Sequence, residues 1–168
     1  MNQRENKTAG PLTRFLADDH RRLDIQLRAA VVDAGPVDPG AYAQFRAGLL
    51  RHIGMEEKIL LPAVQRLRVG EPLPIAAKLR LDHGALAALL MPTPTAAIAA
   101  TIKAILADHN ALEEGTGGLY EICDQLAGSE AESLLAKLRA APEVTVMPHS
   151  GSPAVMNVLR RTLERAGY

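Results

Sequence analysis

The chain has 168 residues, enough for one domain with a continuous core, and 48% of them are hydrophobic, with Leu and Ala prominent. Nineteen basic residues against nineteen acidic ones leave no net charge, so no field draws the chain to nucleic acid or to an anionic membrane surface. Three Tyr, two Phe and no Trp argue against an aromatic-rich β-sandwich, and a single Cys excludes an internal disulfide framework.

The opening run Met-Asn-Gln-Arg-Glu-Asn-Lys-Thr has no apolar core for a signal peptide, so the expectation is a cytoplasmic protein with a flexible segment over residues 1–10. Pro11 suits the first turn of a first helix, predicted to run to about Ala34, where Gly35-Pro36 stops it. Its apolar stripe of Leu12, Phe15 or Leu16, Leu23, Leu27 and Ala30 takes in His20. Asp38 and Pro39 read as the cap and first residue of a second helix. Its stripe steps by threes and fours through Tyr42, Phe45, Leu49, His52, Glu56, Ile59 or Leu60, Ala63 and Leu67.

Gly70-Glu71-Pro72-Leu73-Pro74 then links to a third helix presenting Ile75 or Ala76, Leu79, His83, Leu86 and Leu90. Gly84 to Ile102 carries no charge and nearly reaches membrane-spanning length, but Pro92 and Pro94 cut it between two amphipathic helices. Thr95 caps the fourth helix, whose stripe is Ile98, Ile102, Ile105, His109, Glu113, Thr116, Tyr120 and Cys123. Gly115, Gly117 and Gly118 interrupt it, each costing about 1 kcal/mol against Ala in a helix interior, so a bend is expected there. Past Gly128, Ser129 and Glu132 read as the capping box of a short helix to about Ala141, and Ser152-Pro153 starts another to about Arg165. The pattern predicts an all-α fold, with four helices over 11–127 and a helical extension over 128–168 packed beside them or at their end.

The polar residues inside these stripes repeat. His52-Ile-Gly-Met-Glu56 and His109-Asn-Ala-Leu-Glu113 share one spacing, each is followed by a second Glu, and each is preceded by an upstream Asp-His, at Asp19-His20 and Asp82-His83. Residues four apart on a helix share a face, so each His-x-x-x-Glu aims an imidazole and a carboxylate at one point. The leucines around His20 and His83 are in register as well: Leu16, Leu23 and Leu27 match Leu79, Leu86 and Leu90. A helical hairpin repeated about an approximate two-fold axis accounts for all of this.

A single histidine on an apolar face is ordinarily a hydrogen-bonded core residue. Four independent histidines all falling on stripes that take three of every seven positions have a probability on the order of a few per cent. Two ionised carboxylates buried without partners would each cost several kcal/mol, and no Lys or Arg shares these stripes near them, which leaves metal as the strong candidate. Imidazole with bridging carboxylate and no thiolate suits iron, manganese or zinc, and a carboxylate-bridged pair favours the first two. Two divalent ions against two carboxylates leave about two positive charges, which an oxo or hydroxo bridge and an incoming anionic ligand balance.

The order of these residues resembles the hemerythrin-like, or HHE, family: His20, then His52 with Glu56, then His83, then His109 with Glu113. The resemblance spans Pro11 to Leu126 and implies an up-down-up-down four-helix bundle around a non-haem di-iron site used in oxygen binding or in oxygen, iron or redox sensing. It assigns His20 and His52 to one iron, His83 and His109 to the other, and Glu56 and Glu113 as bridges. Oxygen-carrying hemerythrins add a second third-helix His, where this chain has Ala87, and carry the last carboxylate at the position of Glu114. Glu113 repeats the His52 to Glu56 geometry and is preferred, with Glu114 as the fallback ligand. Without the extra His the two irons become nearly equivalent, which favours sensing or redox chemistry with dioxygen, nitric oxide or peroxide over reversible oxygen carriage.

Lesser candidates surround this set. Asp19, Asp82 and Asp108 each precede a ligand His and are placed either to fix a neighbouring imidazole or, as the preferred reading, on the solvated surface, since adjacent helix positions point about 100° apart. Tyr42 and Tyr120 read as core residues near a cavity edge, Cys123 as a small buried hydrophobe, and His149 as a surface loop residue. Two other functions compete: a ferritin-like oxidase or peroxidase, which normally uses Glu-x-x-His pairs absent here, and a structural bundle holding adventitious metal. The uncharged Ala-rich face of the third and fourth helices would suit a homodimer.

Overall fold

The computed structural model describes residues 9–32 and 35–168, and among them every regular element is helical, with no strand. Helix α1 spans Pro11–Ala30. Its free N-terminal amides are taken by a later residue, Asp124, whose carboxylate accepts from Leu12 N–H at 3.0 Å and from Thr13 N–H at 2.9 Å. The helix ends before the expected Ala34, which lies outside the described residues, as does most of the 1–10 segment. Its last carbonyl, Ala30 C=O, instead accepts from Asp38 N–H at 2.8 Å, turning the chain into α2, Pro39–Met55. Asp38 caps α2 as the sequence predicts, accepting from Ala41 N–H at 2.7 Å.

From Glu56 to Leu60 the same helix widens into a π-turn before continuing as α3, Leu61–Leu67. Pro62 has no N–H to offer the carbonyl one α-turn upstream, and the wider turn ends just before it, at Leu60. Helix α4, Ala76–Leu89, precedes α5, Ala96–Glu114, which the Thr95 hydroxyl caps by accepting from Ile98 N–H at 3.1 Å. The expected bend at the glycines is a full break: α5 stops at Glu114, Gly117 adopts φ 71°, and α6 restarts at Leu119–Ala127. Thr116, predicted on the inward stripe, is exposed in that break.

The Ser129–Glu132 capping box does not form, because a tight 3₁₀ turn over Gly128–Glu130 carries the chain into α7, Ala131–Arg139, with no side-chain cap. Helix α8, Pro153–Ala166, does begin on Ser152, whose hydroxyl accepts from Val155 N–H at 3.3 Å. Packing joins α1 to α2, α4 to α5 and α6 back to α1 and α3, while α7 lies on α1 and α8 along α4.

The apolar core is divided. One cluster gathers Leu12, Leu16, Met55, Leu60, Val64, Leu79 and Leu119, and the other gathers Leu23, Leu27, Phe45, Leu49, Leu86 and Ile102 with Leu159 from α8. Along α1, α2 and α4 the sequence passes from one cluster to the other through His20, His52 and His83. A buried polar layer therefore separates two dry ones.

Candidate metal centre

Six buried side chains make up that layer: His20 from α1, His52 from the last turn of α2, Glu56 from the π-turn, His83 from α4, and His109 and Glu113 from α5. They form two groups, His20, His52, Glu56 and Glu113, and Glu56, His83, His109 and Glu113, with the ligand atoms of each group within 4.8 Å of one another. Both carboxylates belong to both groups. Glu56 turns Oε1 toward His52 Nε2 at 3.3 Å and Oε2 toward His83 Nε2 at 3.0 Å. Glu113 turns Oε2 toward His20 Nε2 at 3.3 Å and Oε1 toward His109 Nε2 at 3.0 Å.

The outward nitrogen of every imidazole is already engaged. His52 Nδ1 lies 2.8 Å from Asp19, His20 Nδ1 2.5 Å from Glu114, His83 Nδ1 2.6 Å from Glu57 and His109 Nδ1 3.3 Å from Asp82. A carboxylate only accepts, so each Nδ1 keeps its proton and a neutral ring presents a bare lone pair at Nε2. Those lone pairs meet head to head, His20 against His52 at 2.9 Å and His83 against His109 at 3.1 Å. Glu56 Oε2 and Glu113 Oε1, buried among them, have no hydrogen-bond donor.

Converging lone pairs of this kind repel unless positive charge sits between them. Ligands at right angles about an ion at about 2.1 Å stand about 3.0 Å apart, which is the spacing found here, so the residues fit a pair of metal ions. Without one, protons serve the same end. Burial disfavours the charged form of His52, but the carboxylates of Glu56, Asp19 and Glu113 outweigh it and raise the imidazole to about 10. His109 rises to about 9 against the same burial, through Asp82 and Glu113. Burial alone would raise Glu56, yet His52 and His83 hold it well below the usual carboxylate range.

Comparison of the chain with protein-family models, with curated proteins and with solved structures found no match.

Asp19 and Asp82, preferred from sequence as solvated charges, are buried acceptors for His52 and His109. Asp108 is exposed, as is His149, whose ring lies 6.2 Å from that of Tyr42, and neither joins the cluster. Glu114 is not grouped with the inward side chains but supports His20 from outside, so Glu113 is the carboxylate common to both groups. Glu57 was missed by the sequence reading, although the repeated Glu-Glu doublet carried the signal: Glu57 serves His83 as Glu114 serves His20. Among the described residues, the Arg and Lys side chains near the site pair with this outer ring, Arg22 with Asp19, Lys78 with Asp82 and Arg80 with Glu57. Tyr42 packs in the second apolar cluster and Cys123 is buried, its thiol pushed up by that burial.

Tyr120 is the largest departure from expectation. Its hydroxyl lies inside the polar layer, 2.7 Å from Glu56 Oε1, 3.1 Å from Glu113 Oε2, 3.0 Å from His20 Nε2 and 3.3 Å from His52 Nε2. Its ring packs in the first apolar cluster, as expected, and its hydroxyl joins the site.

Proposed function

We propose that this chain is a di-iron protein of hemerythrin-like architecture that binds or responds to dioxygen, nitric oxide or peroxide, or to iron and redox state. In this reading α1, α2 with α3, α4, and α5 with α6 are the four members of an up-down-up-down bundle, and α7 and α8 are additions to it. The observation that carries the proposal is the sharing of Glu56 and Glu113, each of which turns one carboxylate oxygen toward each histidine pair. A bridging carboxylate is how a protein holds two ions within one buried site, and an all-oxygen-and-nitrogen ligand set without thiolate suits iron, with manganese and zinc as weaker fits. Iron bound there would supply one-electron redox chemistry and open coordination positions.

The chain's own residues supply the rest. Asp19, Glu57, Asp82 and Glu114 fix the tautomer and ring orientation of the four histidines, and the two apolar clusters keep bulk water from the layer. Expression in iron-supplemented medium followed by metal analysis tests the proposal. Two irons per chain, with near-ultraviolet oxo-bridge absorption in the oxidised protein that changes on adding nitric oxide to the reduced one, are expected. Less than half an equivalent of iron under those conditions would overturn it.

A further inference from the structure

Three features outside the six ligands invite a role. A groove lined by Lys58, Pro62, Arg66, Leu134 and Lys137 beside the π-turn has nothing that points to an occupant. The contact of α8 with Asp82, through Lys78 and Tyr168, holds an outer carboxylate without forming a site of its own. The third is Tyr120, whose hydroxyl lies among the His and Glu atoms.

A phenol has one proton to donate. Around the Tyr120 hydroxyl stand two carboxylate oxygens that compete for that proton and two imidazole Nε2 atoms, all four within 3.3 Å. The four are the atoms of one group, those facing the His20–His52 end: Oε1 of Glu56, Oε2 of Glu113 and both Nε2 atoms. The phenol oxygen thus stands to this ligand set as its members stand to one another, at 2.7–3.3 Å, and makes a fifth corner about the same point.

The repeat breaks here. Tyr120 follows Glu113 by seven residues, and the residue seven beyond Glu56 is Ala63, which has no donor atom to offer the His83–His109 end. Resting on the di-iron reading above, we propose that Tyr120 is the seventh protein ligand, bound through its phenolate oxygen to the ion held by His20 and His52. On binding, the ferric ion takes the place of the phenolic proton, which leaves to solvent, and no electron is transferred. The ion at His20 and His52 then has five protein ligands and the ion at His83 and His109 four, so the open positions belong to the second.

The test uses the full chain loaded with iron-57 and oxidised. Tyrosinate bound to ferric iron gives a visible charge-transfer band whose excitation enhances phenolate ring vibrations in the Raman spectrum. The wild type is expected to show both, together with two equal Mössbauer doublets from unlike irons, while Tyr120→Phe retains two irons and loses the band and Tyr42→Phe keeps it. Two irons with no phenolate signature in the wild type, or a band that survives in Tyr120→Phe, would overturn this inference and leave the di-iron reading standing. Failure to bind iron at all would remove both. The wild-type spectra decide the matter even if Tyr120→Phe does not fold.

Discussion

An imidazole offers a lone pair to a cation only while its other nitrogen holds the proton, and in this site four carboxylates one step outside the ligands enforce that condition. Their loss should be felt in affinity more than in fold. Asp19→Ala, which releases His52, is expected to weaken iron binding by about 10–100-fold in chelator competition, whereas Asp108→Ala, at an exposed position, should leave it unchanged. The metal-free protein has a second signature. His52 and His109 rise to about 10 and about 9 when folded, so their protonation stabilises the fold fully below the unfolded value near 6.5, and that stability is lost as pH climbs through 9 to 10. Glu56 and Glu113 run the other way: their lowered values stabilise above the usual carboxylate range and that contribution disappears as pH falls through their folded values. Thermal midpoints of the metal-free chain should therefore be highest between the usual carboxylate range and about pH 6.5 and fall from there toward pH 10, and a midpoint still rising at pH 10 would contradict the charge assignment.

At the scale of elements, both His-x-x-x-Glu-Glu motifs end in an irregularity. The first runs into the π-turn at Glu56–Leu60 and the second into the Gly115–Gly118 break. The sequence shows the six inward His and Glu residues because helical spacing alone places them on the inward faces of their helices. It hides their supports because Asp19, Glu57, Asp82 and Glu114 act across helices, on rings that no local spacing relates to them. Tyr120 is hidden for a further reason: seven residues of unbroken helix rise about 10 Å, and only the break together with the backward lean of the side chain brings its hydroxyl to 3.1 Å from Glu113. Gly118 makes that break possible, since a Cβ there would stand 2.7 Å from the carbonyl oxygens of Leu112, Glu113 and Gly115. Gly118→Ala is expected to destabilise by roughly 1–3 kcal/mol in denaturant titration and to perturb the environment of Tyr120. Gly84→Ala on α4 meets nothing within 4 Å and should instead stabilise by roughly 0.4–1 kcal/mol.

For the whole molecule, a metal held at the site would be a folding ligand as well as a functional one. Ligand that binds only the native state adds about 2.7 kcal/mol at one hundred times its dissociation constant. Iron loading should therefore raise the melting temperature and chelation lower it, and equal melting curves would argue that nothing binds. The C-terminal helix shares in the arrangement. Lys78 joins Asp82, at 2.7 Å, to the carbonyl of Ala166 at 2.8 Å, and Tyr168 donates to Asp82 at 3.2 Å, so α8 is tied to the carboxylate that orients His109.

The division of the core has a consequence for how the chain comes apart. With ionised groups spanning its middle, the empty protein has two apolar halves joined across a seam that water gains by entering, and each half can open without the other. A pair of metal ions held by α1, α2, α4 and α5 at that seam would fuse the halves. Amide hydrogen exchange should accordingly reveal two separate opening units in the empty chain and a single cooperative one in the loaded chain.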